Sequence, residues 1–242
     1  MPGGFPSTRH SVLAAVAGDD GIARGRALDA LIRAYHRPVY MHVRLRHRAP
    51  PEEASDLTQA FFLTALEKDV FAEFDPALAR FRTFLRMLVD RFVIKQRRDA
   101  GRQKRGGQYE LVSLDFQSIE VDVATFDPDA SPETIDAVFD REWVRSILAM
   151  SVEALEAHCT GSGRKDRFLV FERLALGDEE GRATYAQVAE ELGLKVTDVT
   201  NYLHYARTKF RGLVLSQIRA LCASDEEYRA EAAAVLGPGA VA

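Results

Sequence analysis

The 242-residue sequence has little of what a secreted protein or an enzyme displays. Its two cysteines, Cys159 and Cys222, stand in no metal-ligand spacing. That excludes a disulfide scaffold and points to reduced thiols in a reducing compartment. Near the N-terminus only Val12 to Ala17 is continuously apolar, too short for a signal-peptide core or a membrane span. The chain therefore reads as soluble and cytoplasmic, with no membrane insertion. There is no phosphate-cradling glycine loop and no nucleophile motif. His36, His42 and His47 lie six and five residues apart, so they do not share a helical face as ligands at i and i+4 would. Glu52, Glu53 and Asp56 could hold a cation, but no second acidic cluster accompanies them. A nucleic-acid enzyme, metal-dependent or not, is thus disfavoured: no catalytic residue, metal or cofactor is expected. Strand alternation, internal repeats and low-complexity tracts are missing as well.

What the sequence does contain is enough apolar residue, 47%, to build cores, and a length suited to two small domains. The net charge of −4 hides a segregation. From Arg80 to Arg105 ten Lys/Arg face only Asp90 and Asp99, whereas from Gly106 to Thr160 twelve Asp/Glu face only Arg141 and Arg145. Such a chain can present a strong local basic field despite its acidic total. A solvated helix face followed by an acidic linker would give the same composition.

The periodicity is helical almost throughout, and an all-α fold is expected: two helical domains joined by an irregular linker, the second containing a helix-turn-helix. Residues 24–47 carry Leu28, Leu31, Tyr35, Val39 and Val43 at helical spacing, with Pro38 expected to break or kink the segment. Pro50-Pro51 ends it and opens a helix from Glu52 to about Lys68, with acids in its first turn and Leu57, Phe61, Phe62 and Leu66 on its apolar face. After the Asp75-Pro76 turn a third helix spans about 78–99, its buried stripe read as Phe81, Phe84, Leu85, Leu88 and Phe92. Arg91, Lys95, Arg98 and Arg102 recur at four, three and four on another face. Residues 100–132 lose the period and hold glycines, prolines and acids, the marks of a linker. Ser131-Pro132-Glu133 then opens a long helix to about His158, with Ile135, Phe139, Trp143, Ile147 and Met150 in register.

Ala183 to Leu215 is the most informative stretch. Thr184 can cap a short helix, Tyr185 to Leu192; Gly193 supplies a turn; Val196 or Thr197 opens a longer helix. Helix, tight turn and helix are what a major-groove reader needs, because the turn sets the second helix so that its first half can enter the groove. A plain helical hairpin would share the pattern.

With both segments in view, a resemblance emerges. TYAQVAEELGLKVTDVTNYLHYARTKFRGLV resembles the fourth conserved region of extracytoplasmic-function sigma factors. EEASDLTQAFFLTALE, followed by FRTFLRMLVDRFVIKQRR, resembles their second region, and FPSTRHSVLAAV looks like the opening of a long-tailed branch. The similarity runs over residues 5–221. It implies a sigma factor that directs core RNA polymerase to promoter DNA. Its implied domains are 5–99 (polymerase and minus-ten binding), a linker at 100–132, 133–221 (minus-thirty-five binding) and an extension at 222–242. Glu53, Asp56, Gln59 and Phe62 match the helix that docks on the polymerase clamp. The segment from Phe74 to Arg80 matches the loop that captures an unpaired base, with Arg80, Arg82, Arg91, Lys95, Arg98 and Arg102 as the DNA track. The linker acids Asp115, Glu120, Asp122 and Asp127 would thread a basic polymerase channel.

The sequence departs from the family at informative places. Ser55 stands where an acid is common, which makes it a candidate phosphosite for a Ser/Thr kinase, with Thr58 as the alternative acceptor. Basic residues are usual at the positions of Thr200, Tyr202 and Tyr205. Base readout then falls to Thr200, Asn201 and His204, with Arg207, Lys209 and Arg211 near phosphates. Control by an anti-sigma factor stays open. The extension is read as a solvated helix from Asp225 to Leu236 packing on the last domain. The alternative function is a helix-turn-helix regulator acting without polymerase, which explains Thr184 to Arg211 but leaves the separate basic helix without a role.

Overall fold

The computed structural model describes residues 21–68, 70–100, 116–127, 130–176 and 183–241. Among them there are helices and no strands. In chain order they are α1 (Gly21–Arg46), α2 (Pro51–Lys68), α3 (Phe81–Ala100), α4 (Gln117–Val123), α5 (Pro132–Gly161), α6 (Lys165–Phe171), α7 (Tyr185–Leu192), α8 (Val196–Leu221) and α9 (Asp225–Leu236). A short 3-10 turn, Val70–Glu73, follows α2, and a π-helical turn, Glu172–Leu176, follows α6. The opening 5–20 stretch, Arg102 and Asp115 lie outside the described residues.

The chain forms two compact units that do not divide at the 100–132 stretch. The first comprises the described residues up to Ser146 together with those from Arg219 onward; the second is Ile147–Ile218.

In the first unit α1 packs on α2, α3 and α4. Pro38 does not break α1. A proline inside a helix costs about 3 kcal/mol. Here Tyr35, Val39, Tyr40 and Val43 are all buried around it, and that packing outweighs the lost hydrogen bond. The buried line of α3 is Phe81, Leu85, Val89 and Val93, with Phe84 beside it, while Leu88 and Phe92 are only half-buried. The stripe is rotated from the expected one because α3 is apolar on more than one side. Part of the presumed linker is helical: α4 buries Ile119 and stands beside the stacked rings of Tyr40 and Phe116, 4.6 Å apart. Tyr40 and Arg44 both donate to the Glu120 carboxylate, at 2.5 and 2.6 Å. Arg37 pairs with Asp122 and Glu142. Linker acids expected to face a polymerase channel are thus folded onto α1.

In the extension, α9 belongs to the first unit. Ser224 caps it by accepting from the Glu227 N–H. Glu227 accepts from the Phe81 backbone N–H at 2.9 Å, satisfying a donor at the start of α3. Glu231, 2% exposed, pairs with Arg82. Apolar Ala232 is buried too.

The second unit buries Leu155, Phe168, Phe171, Leu174, Val188, Val199 and Leu203 together with Cys159. Thr184 and Gln187 form a reciprocal capping box at the start of α7. Gly193 ends α7 with φ 65°, where a side chain would cost about 1–2 kcal/mol.

Candidate polymerase and nucleic-acid interface

Proline at the first position and two acids in the first turn of α2 place carboxylates at the positive end of its dipole. Asp56 is exposed, and Glu53 is half-exposed and bound to Arg97 at 2.8 Å. An open groove of about 700 Å³ runs between the start of α2 and α3, lined by Pro50, Glu52, Glu53, Asp56, Leu57 and Gln96 among others. Gln59 is half-buried and donates to the Ser55 hydroxyl at 3.3 Å. Phe62 is not on this surface: it is 2% exposed and meets Phe61 edge-on. It is part of the buried core of the first unit. Ser55 is half-buried beside a cleft also lined by Glu52, Asp56 and Glu120. Thr58 is fully buried, which removes it as an accessible acceptor.

The outer face of α3 carries Arg91, Lys95 and Arg98, all exposed. Met87 and Ile94 are exposed on the same side, so cations and apolar side chains alternate there. Arg98 pairs with its neighbour Asp99, at 3.5 Å. Arg82 is different. It is buried under Glu231 and Asp140 with its guanidinium 4.4 Å from the Trp143 ring centre, and so is not a free DNA contact. Arg80 is more than half exposed, 3.8 Å from Glu231. Between the two stretches the Asp75 side chain accepts from the Ala77 N–H, closing a turn. Phe74 packs against Phe81 and Phe84, and Leu78 stands 84% exposed at the tip. The third helix, expected from about residue 78, begins at Phe81, which leaves Leu78 in the loop before it.

On α8, Thr200, Asn201, His204 and Arg207 are exposed and Lys209 is half-exposed. Thr200 donates to the Val196 carbonyl, a helix-internal bond. Tyr202 and Tyr205, where cations were expected, are half-buried. Each lies under a guanidinium from the start of α6: Arg167 is 5.4 Å from the Tyr202 ring centre and 4.1 Å from that of Tyr205. Arg164 is 5.8 Å from Tyr205. Positive charge absent from α8 is thus returned beside it by another helix.

The model of the ECF sigma factor family matches residues 10–214, spanning both units. The chain belongs to the ECF sigma factor family. No curated protein and no solved structure gives a significant match. ECF sigma factors are transcription initiation factors, and this sigma factor directs RNA polymerase to promoter DNA. The regulator acting without polymerase is not favoured, since the match includes the segment carrying α1–α3 as well as that carrying α7 and α8. Among its described residues no helix is long and apolar enough to cross a membrane.

Proposed function

We propose that this sigma factor divides its work among three surfaces. The acidic start of α2, with Glu53, Asp56 and Gln59, docks on the polymerase clamp. The α3 face with Arg91, Lys95 and Arg98 follows the opened minus-ten strand, and α8 reads the minus-thirty-five element through Thr200, Asn201 and His204. Arg207 and Lys209 hold phosphates. It acts in the cytoplasm, where polymerase and DNA are, without a catalytic step of its own.

The observation that carries this reading is the composition of the α3 face. Single-stranded DNA offers a charged backbone and unstacked bases, and alternating cations and apolar side chains answer both. Leu78 at the loop tip suits insertion against an unpaired base. Glu53 and Asp56 suit a basic partner surface. The test is charge reversal at Arg91, Lys95 and Arg98 together, compared with Asp56→Lys. The first should abolish stable open complexes while leaving core-polymerase affinity intact; the second should weaken polymerase binding. Intact open complexes after the triple reversal would remove α3 from the DNA path.

Ser55 supports a further element of this reading, control by a Ser/Thr kinase. The cleft beside it is lined by Glu52, Asp56 and Glu120, so a phosphate there would enlarge the acidic surface that α2 offers to a basic partner. Ser55→Glu should bind core polymerase more tightly than Ser55→Ala; equal affinities would end the idea.

A further inference from the structure

His42 and His47 are five residues apart, which on a continuous helix would point them about 140° away from each other. The structure brings them together because α1 ends at Arg46. His47 lies just beyond the end, its N–H still bound to the Val43 carbonyl at 3.3 Å. The chain then turns sharply, with Arg48 at φ 49°, a conformation non-glycine residues adopt at a cost of about 1–2 kcal/mol. The two rings meet edge to face with centres 6.0 Å apart. Both Nε2 atoms converge on one oxygen of Asp90, on α3: His42 at 2.8 Å and His47 at 2.7 Å. The three atoms lie within 4.8 Å of one another.

From this convergence of two imidazole nitrogens and one carboxylate oxygen, we propose that His42, His47 and Asp90 form a binding site for a single zinc ion. Neutral imidazole nitrogen and carboxylate oxygen are zinc donors, and three protein ligands leave a fourth position for water. Side-chain exposure rises from 2% at His42 through 12% at His47 to 32% at Asp90. The site is closed behind His42 and open at Asp90, so the ion arrives, and the water sits, on the Asp90 side. With metal–ligand bonds of about 2.0–2.2 Å, tetrahedral geometry separates ligand atoms by about 3.3 Å. The nitrogens therefore withdraw from the Asp90 oxygen by about half an ångström and close on each other, from a separation of up to 4.8 Å to about 3.3 Å, by rotation of the two imidazole side chains. On binding, each Nε2 contributes its lone pair and its proton moves to Nδ1 of the same ring or to solvent.

The site has consequences for its surroundings. It ties the end of α1 to α3. Arg97 donates to the His47 carbonyl at 3.0 Å and binds Glu53 at 2.8 Å, so the same hairpin is linked to the start of α2. Zinc would stiffen the groove at the start of α2 without contacting a partner.

The experiment uses the full chain, stripped with chelator and dialysed. Zinc chloride is titrated calorimetrically into native protein, His47→Gln and Asp90→Asn. Helical circular dichroism verifies that each variant is folded; His47, at the helix end, is the substitution expected to disturb packing least. One ion per native chain is expected, with affinity at least tenfold weaker in both variants. Cobalt chloride should give the visible absorption of a tetrahedral centre with native protein and lose it with His47→Gln. Zinc should also raise the melting temperature of the native chain and not of Asp90→Asn. No binding by native protein, or equal binding and equal cobalt spectra in folded His47→Gln, would overturn the proposal and leave the three residues as a hydrogen-bonded cluster.

Discussion

Truncating Phe62 to alanine separates a core residue from a polymerase contact. The side chain is 2% exposed, and its ring centre lies 5.3 Å from that of Phe61 at an angle of 70°. Removing a buried phenylalanine costs about 3–5 kcal/mol through lost transfer energy and the cavity left behind. Loss of an aromatic pair, worth about 0.5–1.5 kcal/mol, places Phe62→Ala in the upper part of that range. Phe62→Leu keeps most of the volume and should cost less than about 1.5 kcal/mol. The chain has one tryptophan, Trp143, buried in the first unit, so its fluorescence follows the unfolding of the unit in question. With a urea slope of about 2 kcal/mol per molar, Phe62→Ala should lower the midpoint by about 2 M. Core-polymerase affinity of Phe62→Leu, measured where it is folded, should stay within about threefold of native, roughly 0.7 kcal/mol. If Phe62→Ala lost less than about 1 kcal/mol of stability while Phe62→Leu lost polymerase, the burial argument would be wrong.

Other outcomes follow from the same contacts. Glu231→Ala should destabilise the first unit by about 2–3 kcal/mol in Trp143-monitored melts, less than the 3–5 of a fully abandoned charge because Asp140 still faces Arg82; a loss under about 0.5 would show that α9 is not part of the core. Asn201→Ala and His204→Ala should alter minus-thirty-five sequence preference by about 1–3 kcal/mol in binding selections, whereas Arg207→Ala should weaken all sequences alike; identical profiles would refute that division. Hydrogen bonds from Arg44, and less so from Tyr40, hold the Glu120 carboxyl below its ordinary value of 4.5. A depressed folded pKa means that its stabilisation is complete above the unfolded value and fades as pH falls through the folded one. Amides of α4 should therefore lose exchange protection in acid, below about pH 4, and Glu120→Gln should remove that transition; a transition unchanged in Glu120→Gln would assign it to another group.

The helices were legible because their caps and periods are local. Pro51, Ser131-Pro132, Thr184 and Gly193 announce boundaries within a few residues of themselves. Face assignments on α3 were less so: with apolar residues at 81, 84, 85, 88, 89, 92 and 93, period alone does not choose the buried line. Arg82 was unreadable because its partners Asp140 and Glu231 are far along the chain. Nothing in DEEYRAEAAAVL says which unit it packs on, since its apolar residues are mostly alanine. The pairing of His42 with His47 escaped a spacing rule that holds only inside a helix, and α1 stops between them. Exposed Arg91, Lys95 and Arg98 were found from spacing because a charged face follows the same period as an apolar one.

The most direct measurement is transcription by core RNA polymerase on a promoter library, with the native chain, with the Arg91, Lys95 and Arg98 reversal, and without either. Transcripts should start at defined positions only with the native chain, and the reversal should remove them while polymerase still binds the protein. Binding to duplex promoter DNA with no polymerase-dependent transcript from any template would contradict the assignment of these surfaces.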